Sequence, residues 1–111
     1  MEKFLVMFLA PASVMAEWMK KPEEERKMEE KKMKAEWDAW TAAHADMIKE
    51  TNATGKTKRV TVNGIEDHRN DLMLYSIVEA ESHEDVAKAF EGHPHFGIPG
   101  ASIEIMPMRS M

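Results

Sequence analysis

The sequence predicts an α+β fold built from four strands and two helical regions in the order βαββαβ. Four segments have the length and apolar pattern of strands: Phe4–Leu9, Thr57–Val62, Leu72–Ala80 and Ser102–Met106. Helical spacing of apolar residues follows the first and the third of these segments. A chain of 111 residues is typical of one domain, so we expect a single domain over residues 1–111.

The strands differ in how many of their faces are apolar, and this predicts their order in the sheet. Leu72–Ala80 and Phe4–Leu9 are largely apolar on both faces, which is typical of central strands covered on two sides. Thr57–Val62 and Ser102–Met106 are apolar mainly on one face, so we expect them at the edges.

The helix after the third strand has clear start and stop signals. Ser82 is in position to cap its first turn, with Asp85 three residues later as in a capping box. Gly92 suits the left-handed conformation that ends helices, and Pro94 prevents the helix from resuming. We therefore expect a short helix followed by a tight loop.

Two helices are expected after the first strand. Ser13 is the predicted cap of a short helix that reaches Met19. Pro22, followed by three glutamates, suits the first turn of a longer helix, because the proline ring fits that position and acids interact favourably with the helix dipole. Its apolar stripe predicts that this helix extends to about Lys49.

A hairpin is predicted between the long helix and the third strand. Thr51–Gly55 has the composition of a loop, and Asn63-Gly64 is a strong two-residue hairpin signal after Thr57–Val62. Ile65–His68 is the expected return strand.

Composition excludes several classes of function. The chain has no cysteine, so it has no disulfide, thiolate nucleophile or cysteine-ligated metal site. Its net charge of −5 argues against nucleic acid or an anionic membrane as a partner. The 11 methionines suit a malleable binding surface or adaptable packing, and we favour the core and a subunit interface.

The apolar N-terminal run has two interpretations. Phe4–Ala10 is far too short to span a bilayer as a helix. It could be the apolar part of a signal peptide or the first buried strand, and we favour the strand because the charged region before it is minimal. The expected location is therefore the cytoplasm.

The pattern resembles the YCII-related family. The matching residues are Tyr75–Ala80, Gly92-His93-Pro94 and Gly100–Ile105 followed by Met106-Pro107-Met108, with weaker similarity at Phe4–Leu9 and Trp37–Trp40. The resemblance implies a ferredoxin-like domain, with a four-stranded antiparallel sheet and helices on one face, that pairs into a dimeric α/β barrel. The expected partner is a second copy that covers the open, apolar face of the sheet.

The His93-Pro94-His95 sequence is the strongest candidate for chemistry. A neutral imidazole can act as a base or a metal ligand near pH 7, so His93 is the candidate catalytic residue. The alternative is a structural turn in which the His93 ring caps backbone groups. No metal is expected, because two histidines at this spacing without a third ligand fall short of a zinc site.

Four further side chains are candidates for a ligand pocket. Three are aromatic residues that are each more commonly core residues: Trp37, Trp40 and Tyr75. The fourth is His95, for which the alternative is an exposed side chain without a role. Some proteins that resemble this fold carry a histidine on the first helix with a nearby aspartate. Trp37 occupies that position here, so the resemblance does not extend to such a dyad.

Two functional hypotheses follow. The first is a protein that binds a small apolar or aromatic molecule in a cleft between sheet and helices. The resemblance implies cofactor-free proton transfer, of the isomerase or lyase type, as its chemistry. The second is a non-catalytic module that serves dimerisation or assembly. The sequence leaves open whether the protein is an enzyme, and no cofactor is expected.

Overall fold

A four-stranded antiparallel sheet forms the centre of the computed structural model, which describes residues 1–111. The elements in chain order are β1 (Glu2–Leu9), α1 (Ala12–Met19), α2 (Glu23–Ala43), β2 (Ile48–Ala53), β3 (Thr57–Thr61), β4 (Gly64–His68), β5 (Leu72–Ala80), α3 (His83–Ala89), a one-turn 3₁₀ helix (Pro94–Gly97) and β6 (Ser102–Pro107). The strand order β2–β5–β1–β6 is ferredoxin-like, with the β3–β4 hairpin inserted between the second and third strands of the sheet. The predicted α+β class is confirmed.

Strands β1 and β5 form the centre of the sheet, as their two-sided apolar pattern predicts. They pair in antiparallel register, with Phe4 opposite Val78 and Val6 opposite Ser76. These four residues are buried on the face that carries the helices. Because side chains alternate along a strand, the register assigns every second residue of both strands to this core.

One predicted edge strand is wrong. Ser102–Pro107 does form the edge beside β1, but the edge beside β5 is Ile48–Ala53. The predicted Thr57–Val62 strand belongs instead to the separate β3–β4 hairpin. Its two-residue turn is Val62-Asn63 and not the predicted Asn63-Gly64, because Gly64 already pairs with Thr61 in β4. The Ile48–Ala53 strand has only one partly buried residue, so no apolar alternation indicates it. Backbone hydrogen bonds and the Thr51–Ser76 hydroxyl contact of 2.7 Å hold it to β5.

Two expected helix boundaries also differ. Helix α2 ends at Ala43 rather than near Lys49, because the chain must leave the helix to form the edge strand at Ile48. His44 closes it, with Nδ1 placed 2.8 Å from the Trp40 carbonyl. Ser13 is not a cap: the residue before α1 is Pro11, and no side chain caps that end.

The two faces of the sheet have different surroundings. The core cluster of seven buried residues combines β1 and β5 side chains with Val86 and Phe90. It contains none of the side chains from the opposite face, where Leu5, Met7, Tyr75 and Ile77 are only partly buried. The chain measures 43 × 43 × 20 Å, so it is about two layers thick.

Candidate functional site

His93 enters the core through a fixed loop. The Ser82 hydroxyl accepts a hydrogen bond from the Asp85 N–H at 3.1 Å, as predicted for the start of α3. After that helix, Gly92 takes a φ of 70°, in the left-handed region where a Cβ is disfavoured. His93 follows in extended conformation and begins the 3₁₀ helix, in which Pro94 is the first residue. This turn directs the imidazole inward, where it is 1% exposed.

Four aromatic rings surround the imidazole, and we call them with His93 the His93 cluster: Phe8, Trp37, Trp40, Phe90 and His93. The Trp37 and Trp40 ring centroids each lie 4.4 Å from that of His93, at 83° and 64°. The Phe8 and Phe90 centroids lie at 5.3 and 5.7 Å. Sheet, long helix and the loop after α3 therefore meet at this ring.

The proton position on His93 follows from its hydrogen bond. Its Nδ1 accepts from the His95 backbone N–H at 2.9 Å, so the neutral ring carries its hydrogen on Nε2. That Nε2 is buried and has no hydrogen-bond partner. Burial, with smaller contributions from His95 and His44, lowers the pKa of His93 from 6.5 to about 4. His93 is therefore neutral near pH 7.

His95 joins the 3₁₀ helix to the end of β1. Its ring is fully buried, and Nε2 donates to the Leu9 carbonyl at 2.8 Å. Burial lowers the pKa of His95, and the backbone carbonyls of Leu9 and Ser102 act in the opposite direction. Like His93, this side chain is built into the core.

A cavity of about 800 Å³ lies on the outer side of Trp37, between α1, α2 and residues 97–99. We call it the helix cleft. Its apolar wall is formed by Val14, Met15, Trp18, Met33, Trp37, Met73 and Ile98. The cleft thus shares Trp37 with the His93 cluster, so the imidazole lies directly behind its wall.

An ordered polar network borders the helix cleft. The Glu29 carboxylate accepts from the Trp18 indole N–H at 2.6 Å and from Lys21 at 2.8 Å. These hydrogen bonds, with that from Lys21 the larger cause, lower the pKa of Glu29. The contact fixes the Trp18 ring on α1 against α2.

The structure brings together four of the five side chains that the sequence predicts as site residues. One aromatic region contains His93, His95, Trp37 and Trp40. Trp40 packs against the core cluster and does not line the cleft. Tyr75 lies on the opposite face of the sheet, where its hydroxyl accepts from Asn52 at 3.0 Å. It therefore cannot share a pocket with His93 within one subunit.

Sequence reasoning missed several residues of the site. Trp18, Met33 and Ile98 line the cleft, and Phe8 packs against the His93 ring. Two spacings could have indicated the helix faces that line the cleft: Val14 and Trp18 are four residues apart on α1, and Met33 and Trp37 are four residues apart on α2.

The arrangement disfavours proton abstraction by His93. The Nδ1 lone pair of His93 is already engaged, and Nε2 carries a hydrogen. No group of three or more His, Cys, Asp or Glu side chains is placed to hold a metal ion. No helix is long and apolar enough to cross a membrane.

Comparison with known proteins shows a likeness of fold. No protein-family model matches the chain, and no curated protein matches it. The 5-chloro-2-hydroxyhydroquinone dehydrochlorinase of Burkholderia phenoliruptrix AC1100, solved in complex with 2,5-dihydroxybenzoquinone, superposes with a TM-score of 0.57 at 16% identity. The match covers 96% of this chain and 93% of that chain.

A second solved structure is more distant. A hydantoinase/carbamoylase family amidase from Burkholderia ambifaria matches with a TM-score of 0.36 at 14% identity, over 97% of this chain and 27% of that chain. A likeness at this level carries no argument about the present chain. The first match agrees with the ferredoxin-like fold described above.

Proposed function

We propose that the protein binds a small apolar or aromatic molecule in the helix cleft. The observation that carries this proposal is the cleft of about 800 Å³ with Trp18 and Trp37 in its wall. Ligand pockets commonly have this volume and an apolar wall. Charged side chains also line this cleft: Lys21, Glu29, Glu30, Lys32, Lys34, Glu36 and Asp38. Indole faces also stack well on flat apolar ligands.

The resemblance to the YCII-related family and the ferredoxin-like neighbour support the same class of function. That neighbour was solved with a dihydroxybenzoquinone, a small cyclic molecule. His93 remains the candidate for proton transfer, but its ring would first have to release the His95 N–H. Because this exchange breaks a buried hydrogen bond, binding is the better supported function.

We propose further that the protein is a homodimer through the open face of the sheet. Leu5, Met7, Tyr75 and Ile77 form an apolar surface there that the core cluster does not include. The radius of gyration is 15.8 Å, against about 13 Å expected for a closed domain of this length. A second copy would add the missing layer to the sheet.

A bulky side chain that fills the cleft tests whether the ligand binds there. Suitable neutral probes are 2-naphthol and 6-phenylhexan-1-ol, with binding measured by isothermal titration calorimetry. Val14→Trp places a large ring in the cleft and should abolish binding of both probes. Ala16→Trp, two residues along the same helix on an exposed position outside the cleft, is the matched control and should bind normally. Equal binding by both variants would refute the assignment of the ligand to the cleft.

A further inference from the structure

A second cavity of about 870 Å³ adjoins the helix cleft at the end of the sheet. It lies between the start of α1, the turn that joins β2 to β3 and the link from β4 to β5. We call it the end cavity. Met15 and Met73 line both cavities, so these two side chains form the partition between them. Methionine is unbranched and flexible, which makes this partition easy to rearrange.

The end cavity is positively charged, although the chain as a whole carries −5. Its lining includes three cationic side chains, Lys56, Lys58 and Arg69, against the carboxylates of Asp67 and Asp71. A cavity with this balance concentrates anions at its wall. The rest of its wall is mixed: six apolar residues, among them Met15 and Met73, lie beside polar ones such as Thr54 and Asn70. The two methionines connect this wall to the helix cleft.

Two of the three cations have no partner within the chain. Lys58 is committed to an ion pair with Asp67 across the β3–β4 hairpin. One carboxylate oxygen of Asp71 accepts from the Ala12 N–H at 3.3 Å, at the first residue of α1. Lys56 and Arg69 form no ion pair, yet both border the cavity. Within the end cavity, they are the groups available to an incoming anion.

We infer that the ligand of the helix cleft is an amphipathic acid, whose apolar body lies in the cleft and whose carboxylate lies in the end cavity at Lys56 and Arg69. This inference rests on the function proposed above and adds the charge and the length of the ligand. A carboxylate accepts two parallel hydrogen bonds from a guanidinium, and a nearby ammonium adds a point charge. A short aromatic acid would fill only one of the two cavities.

The test compares each acid with the alcohol of the same carbon skeleton. The probes are phenylacetate with 2-phenylethanol, and 6-phenylhexanoate with 6-phenylhexan-1-ol, titrated calorimetrically at low ionic strength. We expect 6-phenylhexanoate to bind about fivefold more tightly than its alcohol, a typical gain for partly exposed ion pairs. The short pair should show no such preference, because phenylacetate cannot reach both cavities.

Two double variants show which cations cause the preference for 6-phenylhexanoate over its alcohol. Lys56→Ala/Arg69→Ala should remove the advantage of 6-phenylhexanoate and leave the affinity for 6-phenylhexan-1-ol unchanged. The control variant Lys31→Ala/Arg109→Ala removes two exposed cations that line neither cavity, so it should still bind 6-phenylhexanoate more tightly than the alcohol. A preference that survives in the first variant, or equal affinities of the long acid and its alcohol for the wild type, would overturn the inference. Binding of the alcohol without that preference leaves the helix cleft intact as a site, whereas failure of every probe refutes both proposals.

Discussion

The backbone N–H of His95 donates a hydrogen bond to Nδ1 of His93 across 2.9 Å, inside the core. His93 is the residue before the 3₁₀ helix and His95 is the second residue within it, so the loop fixes the ring that the aromatic side chains enclose. This bond assigns the ring hydrogen to Nε2 and requires a neutral imidazole. Protonation of His93 would break the bond and introduce a charge among four aromatic rings.

Stability should therefore fall in mild acid. The pKa of His93 is about 4 in the folded protein against 6.5 for the free side chain, so the unfolded state binds more protons between these values. The free energy of unfolding should be constant above pH 6.5 and fall by about 3 kcal/mol as the pH drops towards 4. The lowered pKa of His95 acts in the same direction. Urea unfolding at a series of pH values measures the slope.

Variants show whether His93 is the cause of this slope. Phe at position 93 cannot titrate, so His93→Phe should reduce the slope between pH 6.5 and 4 and leave the part that His95 contributes. His68→Gln, at an exposed site on the hairpin, is the control and should retain the wild-type slope. A wild-type profile in His93→Phe would contradict the assignment.

The loop before β6 should be sensitive to a single added methyl group. Gly100 has a φ of 75°, and a Cβ there would lie 2.9 Å from Cγ of Pro11. Gly100→Ala should destabilise the protein by about 1–2 kcal/mol, from backbone strain and the close contact. Gly55 has neither constraint, so Gly55→Ala should be neutral or stabilise by about 0.5 kcal/mol. Thermal unfolding compares the two, and equal midpoints would contradict the role of Gly100.

Much of the fold can be predicted because each signal is local. The two-sided apolar pattern of Leu72–Ala80 identifies a central strand, and Ser82 and Gly92 act as the helix signals predict. Ile48–Ala53 cannot be found in this way, since its position depends on backbone hydrogen bonds to β5 and not on apolar side chains. The alternation of Val60 and Val62 predicts an edge strand of the main sheet, but this segment pairs only with β4 in the hairpin, where both side chains are exposed.

The site was predictable only in part. His93 follows a stop signal that the sequence displays, but its contact with Trp37 and Trp40 depends on how the long helix crosses the sheet. Tyr75 is a different case: alternation assigns it to the face opposite Ser76, whose side chain is buried beneath the helices. The alternation of side chains along the strand could therefore have predicted that Tyr75 and His93 lie on opposite sides of the sheet.

The proposed dimer should dissociate when its apolar face is charged. At micromolar concentration, sedimentation should give twice the chain mass of 12.7 kDa for the wild type. Ile77→Lys places a charge among the apolar side chains of the open face and should yield monomers, because burying an unpaired ammonium is costly. Ala35→Lys adds the same charge on an exposed position of α2 and should remain dimeric. A monomeric wild type would refute the proposed interface.

The last prediction separates a supporting role of His93 from a chemical one. His93→Phe keeps a ring between Trp37 and Trp40 but leaves the His95 N–H without an acceptor, which should cost about 1–3 kcal/mol of stability. His93→Asn offers a polar side chain but leaves a void beside both indoles, with a cost of about 2 kcal/mol or more.

If His93 supports the cleft wall by packing, the two variants should differ in binding. His93→Phe should bind 6-phenylhexan-1-ol within about twofold of the wild type, because the Trp37 wall is still supported. His93→Asn should bind it more weakly, since Trp37 can move into the void. Calorimetry at a temperature well below both unfolding midpoints measures this difference. A folded Phe variant that loses binding, while the Asn variant keeps it, would show instead that the ligand requires a polar atom at position 93. His93 would then contact the ligand through a hydrogen bond and not only support the cleft wall.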